Sequence, residues 1–132
     1  MKPKAFVIEP YKDRLYLFCP CTKEQAQGWL KRKKIDELVD MEDYDETDAI
    51  TFYTSHGNLM FMHDFKDTPE GLALLAHELC HVTFNVLHHT GVKEAEGTEE
   101  AAAYLLENLM EKCVKHFRSN KTKPTVEPTT PQ

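Results

Sequence analysis

Long apolar runs are missing from this 132-residue sequence. None approaches the ~20 residues that a membrane-spanning helix needs, so no membrane partner is expected. Cations are also scarce: Lys plus Arg number 16 against 22 Asp plus Glu, a formal net charge of −6. A general nucleic-acid binder draws its affinity from cation–phosphate contacts, so this balance argues against a nucleic-acid partner. Cysteines number four, Cys19, Cys21, Cys80 and Cys113, and only Cys19-Pro20-Cys21 is a close pair. With no second close pair to complete a thiolate zinc site, this one reads as a strand end entering a turn at Pro20. The stretch Ala5-Phe6-Val7-Ile8 falls short of the ~7–15 apolar residues of a secretory signal. The expectation is a soluble cytoplasmic protein with reduced thiols.

What is present is an ordinary globular composition, 41% hydrophobic and 29% charged. A chain of this length makes one domain whose modest core needs no disulfide. Ala5–Glu9 and Arg14–Cys19 read as strands, the first with Phe6 and Ile8 alternating, the second a β-prone run. Tyr11-Lys12-Asp13 is a short link between them, and Pro10 bars full ladder pairing there. Thr22 caps a helix through Ala26, Trp29 and Leu30 to about Lys34, and its basic end suits the negative end of the dipole. The acidic stretch from Asp36 to Asp48 lacks the D-x-[DN]-x-[DN]-G calcium pattern and reads as a solvated loop. Ile50–Thr54 and Leu59–His63 flank Ser55-His56-Gly57-Asn58, a hairpin signal.

Thr68-Pro69-Glu70 opens a second helix with an apolar stripe of Leu72, Leu75, Leu79 and Val86, ending near Gly91. Gly97-Thr98-Glu99-Glu100 opens a third, with Leu105, Leu106, Leu109 and Val114 on its apolar side. From about Ser119 the composition turns to Lys, Thr and Pro, a flexible tail. The order ββαββαα describes an α+β fold: a small antiparallel sheet of two hairpin-like strand pairs packed on about three helices. Residues 1–118 form the single domain and 119–132 the tail.

Chemistry is concentrated in His77-Glu78-Leu79-Cys80-His81, an H-E-x-x-H pattern inside the second predicted helix. Residues four apart share a helix face, so the two imidazoles can grip one Zn2+ at roughly 2.0–2.1 Å. Glu78 follows His77 by about 100° round the helix. From there it reaches a metal-bound water without ligating the metal, the general-base position of a zinc hydrolase. Chance alone gives roughly 0.04 such matches in a chain of this His and Glu content. The bland alternative is a helix with two exposed or satisfied histidines.

A catalytic site with one open position needs a third protein ligand, from Glu94, Glu96, Glu99, Glu100 or Glu107. If the last two helices form a tight antiparallel pair turning near residue 94, Glu107 lies level with His81. Glu100, seven residues earlier, is then displaced by roughly 10 Å. Glu107 also reads as an acceptor that supports the site from behind. Tyr104, one turn from Glu100, is a candidate donor to a developing oxyanion and equally a packed aromatic. His88 shares the face of His77 but is too far from His81 to hold the same ion. His89 and His116 read as surface or near-core residues, His56 and His63 receive no role, and Cys80 reads as packed.

His77-Glu78-x-x-His81 followed after 18 residues by Glu100 resembles the gluzincin metallopeptidases, whose aminopeptidase branch uses the same separation. More closely, Ala76-His77-Glu78-Leu79-Cys80-His81 with Glu100-Ala101-Ala102-Ala103-Tyr104-Leu105 resembles small metallopeptidases encoded by bacteriophages, which pair an H-E-x-x-H helix with an E-A-x-A-Y-L helix. The likeness covers about residues 50–117. It implies a minimal zincin-like fold, His77, His81 and Glu100 as zinc ligands and Glu78 as base. The chain lacks an N-E-x-x-x-E signature around Glu100 and has no room for the substrate-binding domains of the larger peptidases.

The function expected is a zinc-dependent hydrolase of peptides or proteins. Zn2+ would lower the pKa of its water from 15.7 toward about 7. Glu78 would take the proton during attack on a carbonyl and pass it to the leaving nitrogen. The metal, with Tyr104, would stabilise the oxyanion. Leu59–His63 is expected at the rim of the cleft, where an extended peptide would add as a strand. The competing reading is a non-catalytic interaction protein of phage type, in the host cytoplasm, with zinc structural or absent.

Overall fold

Successive residues of a strand point to opposite faces, so Leu15 with Leu17 and Met60 with Met62 commit one side of a sheet to an apolar core. In the computed structural model, which describes residues 1–91 and 98–122, those residues lie on two neighbouring strands. The elements are β1 (Lys4–Ile8), β2 (Asp13–Phe18), α1 (Lys23–Arg32), a 3-10 turn (Tyr44–Glu46), β3 (Ala49–Thr54), β4 (Gly57–Met62), α2 (Pro69–His89) and α3 (Thr98–Thr122). The fold is α+β with the expected order, and the four strands form one sheet in the order β1-β2-β4-β3.

The sheet is not wholly antiparallel. The two hairpins join through a parallel pairing of β2 with β4, Leu15 opposite Asn58 through Phe18 opposite Phe61. Parallel neighbours need a long crossover, and α1 with the segment after it helps supply one. Short-range patterns carry the hairpins but not this long-range join.

One sheet face packs Ile8, Leu15, Leu17, Ala49, Met60 and Met62 against Leu75, Leu79, Val82 and Val86 of α2 and Leu105, Leu109 and Cys113 of α3. The other packs Phe18, Leu59 and Phe61 against Trp29 and Leu30 of α1. The same cluster takes in Val39, Met41 and Tyr44, which corrects the reading of residues 36–48 as solvated loop. Their carboxylates are exposed, but Val39 and Met41 alternate inward between them. The Tyr44 hydroxyl donates to the Cys21 carbonyl at 2.8 Å.

Local signals set the helix starts. Thr22 and Gln25 form a reciprocal capping box on α1, and Thr68 accepts from the Gly71 N–H at 3.1 Å on α2. α3 continues to Thr122, past the expected start of the tail. Two ties hold it there: Phe117 stacks on Phe65 at 4.1 Å, and Arg118 donates twice to Asp67 at 2.8 and 3.0 Å. The rest of the expected tail, residues 123–132, lies outside the described residues, as do 92–97. Among the described residues no helix is long and apolar enough to cross a membrane.

Candidate metal centre

The 3.6-residue period of α2 sorts its side chains. Leu75, Leu79, Val82 and Val86 are buried, while His77, His81, Phe84 and His88 are exposed. His77 and His81 therefore emerge side by side on the open face, ring centroids 5.0 Å apart and planes at 79°. The helix spacing brings the two nitrogen donors together as expected.

Glu78 does not share their exposure. It is 5% exposed, turned to the flank of α2 that meets β3. There the Thr51 hydroxyl donates to Glu78 Oε1 at 2.6 Å. The same flank carries two further links. Asn85 Nδ2 donates to Asn58 Oδ1 at 3.2 Å, and the Tyr53 and His89 rings stack at 3.7 Å. A row of polar and aromatic contacts thus ties α2 to the hairpin where an apolar seam would be the ordinary choice. Motif reading passed over Thr51, Asn58 and Asn85. The available signal was polar side chains at positions whose period places them under a helix, since Thr51 and Tyr53 follow Ala49 at spacing two.

The remaining candidates lie elsewhere. Glu99 and Glu100 are exposed in the first turn of α3. Tyr104 is 67% exposed and, with Glu107, lines a cavity against Glu9, Pro10 and Tyr11. That places both beside the β1–β2 turn, whereas β3 is the opposite edge of the sheet. Among the described residues no three His, Cys, Asp or Glu side chains are gathered where they could hold a metal ion. Glu100 and Glu107 are therefore not brought to the imidazole pair, and Tyr104 is not brought to an oxyanion beside it. The reason is where α3 packs. Its outer half lies over β1, with His116 edge-on to Phe6 at 6.1 Å and Lys112 reaching the Val7 carbonyl at 3.4 Å. Glu94 and Glu96 lie outside the described residues.

Two imidazoles one helical turn apart are donors that zinc accepts, and a catalytic zinc takes three protein ligands. The described residues supply two of the three.

The strand expected at the rim, β4, is hydrogen-bonded on both sides, to β2 and to β3. It has no free edge for an added strand. Among the described residues, the free edge beside Glu78 belongs to β3.

Other histidines are engaged in packing. His63 stacks on Tyr44 at 4.0 Å, and His56 stands edge-on to Trp29 at 6.4 Å. All four cysteines are free thiols. Burial, with the Asp64 carboxylate adding to it, pushes the Cys19 thiol up to about 12. Burial likewise pushes Cys21 up to about 11 and Cys113 up to about 12. These three stay protonated at neutral pH, which makes them poor nucleophiles and poor metal ligands. Compared with protein-family models, curated proteins and solved structures, the chain matches none.

Proposed function

We propose that this chain is a zinc-dependent hydrolase, a small metallopeptidase of zincin type, with His77 and His81 holding the metal and Glu78 acting as general base. One observation supports the reading above the others. Two imidazoles stand 5.0 Å apart on the open face of α2, and the carboxylate between them in sequence is held at the edge strand. Zinc, when bound, supplies a Lewis acid that acidifies water and polarises a carbonyl. Glu78 accepts the proton of the attacking water and returns it to the leaving nitrogen. The outer edge of β3 offers N–H and C=O groups to an extended peptide, and Thr51 places that edge next to Glu78. Metal binding would have to draw in a third carboxylate, Glu94, Glu96 or, as the family likeness implies, Glu100, since among the described residues none stands with the imidazole pair. Four free thiols suit a cytoplasmic setting, the host's if the chain is a phage product.

Zinc analysis of the purified chain and hydrolysis of a pool of internally quenched peptides test this. The expected result is one zinc per chain and cleavage that Glu78→Gln abolishes while zinc is retained. A wild-type chain that holds zinc and cleaves nothing sinks the hydrolase. One observation favours a second reading, a non-catalytic interaction protein: only two donors are gathered among the described residues. In that case the biological effect survives Glu78→Gln unchanged.

A further inference from the structure

We infer that Thr51 is the positioning residue for Glu78, holding its carboxylate in one orientation across the seam between α2 and the edge strand; the catalytic part of this inference rests on the reading of Glu78 as the base. A glutamate side chain turns about three torsions, the first two staggered and the last broad and roughly two-fold. Left to itself, a base on this side chain samples many directions. The 2.6 Å bond from Thr51 removes that freedom by engaging Oε1, so that Oε2 is the oxygen left for the reacting proton.

The donor is itself fixed. Thr51 sits in register opposite Met60 in the β3–β4 ladder, and a β-branched side chain has few χ1 choices. Glu78 is fixed at its backbone by Leu75, Leu79 and Val82, which have no exposed surface. The bond is therefore drawn between two anchored points, one on each wall of the seam. A hydroxyl has one proton, and a charged carboxylate only accepts, so the direction of donation is determined when Glu78 is ionised. At 2.6 Å the bond lies at the short end of the O–H···O range.

A purely structural bond would satisfy a buried carboxyl group and nothing more. Thr51→Val keeps the shape and removes the proton, and Thr51→Ser keeps the proton. Positioning predicts that Thr51→Val lowers kcat on the quenched-peptide pool by roughly 10–100-fold, the usual cost of losing an orienting partner. KM and zinc content stay near wild type, and Thr51→Ser recovers most of the rate. Three-bond couplings of the Glu78 side chain, measured by NMR on the full chain, supply a readout independent of turnover. They report one rotamer in wild type and Thr51→Ser, and averaging in Thr51→Val.

Active enzyme whose kcat is unmoved by Thr51→Val overturns the inference and leaves the hydrolase standing. Zinc-loaded wild type without peptide cleavage overturns the hydrolase. The couplings then decide the orientation alone, averaging in Thr51→Val upholding it and unchanged values ending it. If Thr51→Val does not fold, Thr51→Ser and Thr51→Ala are compared by the same couplings and rates, with a fixed rotamer in Thr51→Ala counting against the inference.

Discussion

Asn58 and Asn85 join β4 to α2 through their side-chain amides, Asn85 Nδ2 donating to Asn58 Oδ1 at 3.2 Å. Asn58 has no exposed surface, and its own Nδ2 donates to the Arg14 carbonyl at 3.2 Å. One buried amide thus links the second strand, the fourth strand and the helix that carries the two imidazoles. Replacing it by Ala strips a partner from a part-buried backbone carbonyl and another from Asn85. Each group left unpaired costs about 1–3 kcal/mol. Asn58→Ala is expected to lower the unfolding free energy by about 2–6 kcal/mol, two such groups, read as a lower urea midpoint with an unchanged m-value. A midpoint within error of wild type would show that water replaces both partners.

Gly71 sets propensity against contact. In a helix interior Ala is better than Gly by about 1 kcal/mol, so Gly71→Ala in α2 reads as a stabilising change. The structure opposes it. A Cβ on Gly71 would run into the backbone carbonyl of Lys66, which cannot swing aside as a side-chain end would. The clash outweighs the propensity, and Gly71→Ala is expected to lower Tm. Gly28, on α1, is the control: a Cβ there meets only the end of the Arg32 side chain, at 3.6 Å, so Gly28→Ala is expected to raise Tm. Equal shifts for both variants would refute the contact argument.

The difference between those two glycines shows which parts of this fold were legible in the sequence. Helix starts at Thr22 and Thr68 were, because a cap is a local hydrogen bond between residues three apart. The hairpins were, because alternation and turn residues are also local. The β2–β4 pairing was not, since nothing within a few residues of Leu15 names Asn58 as its partner. The imidazole pair was legible because a helix period fixes it. The path of α3 was not, so where Glu100, Glu107 and Tyr104 stand relative to the imidazole pair was not legible either. Thr51 shows the same limit: its value lies in a contact with a residue 27 positions away.

Alkaline pH is expected to unfold the chain early. Burial raises the Cys19 thiol, helped by Asp64, and also raises Cys21 and Cys113, from an ordinary 9.0 to about 12, 11 and 12. Burial raises the Tyr44 hydroxyl as well. Below pH 9 these thiols are protonated in both states and stability does not depend on them. Between about 9 and the folded values the unfolded chain releases protons that the folded chain keeps, so stability falls as pH rises. Urea midpoints measured from pH 7.5 to 10.5 should hold flat and then decline. Self-repulsion in a chain of net charge −6 acts in the same direction. Cys113→Ala separates the two, because it removes one titrating thiol without changing neutral-pH charge. The variant should show a shallower decline, and parallel curves would assign the whole effect to surface charge.

Metal binding should be readable as stability before any substrate is known. A ligand that binds only the folded state adds RT ln(1 + [L]/Kd), about 2.7 kcal/mol at a hundredfold excess over Kd. The unfolded chain keeps His77 and His81 but loses their spacing, which exists only while α2 is helical. Zinc is therefore expected to raise Tm in wild type, and EDTA to reverse the rise. His77→Ala and His81→Ala should each abolish it, since one imidazole on an exposed helix face is a weak site. His88→Ala, a change on the same face outside the pair, should leave it intact. The carboxylate variants then find the third ligand: of Glu94→Gln, Glu96→Gln and Glu100→Gln, the one that loses most of the zinc-dependent shift removes the missing donor. Glu78→Gln is expected to keep the shift, because a carboxylate engaged by Thr51 at the edge strand is not a ligand. A shift that survives loss of both imidazoles would place the metal elsewhere on the chain and end the case for this centre.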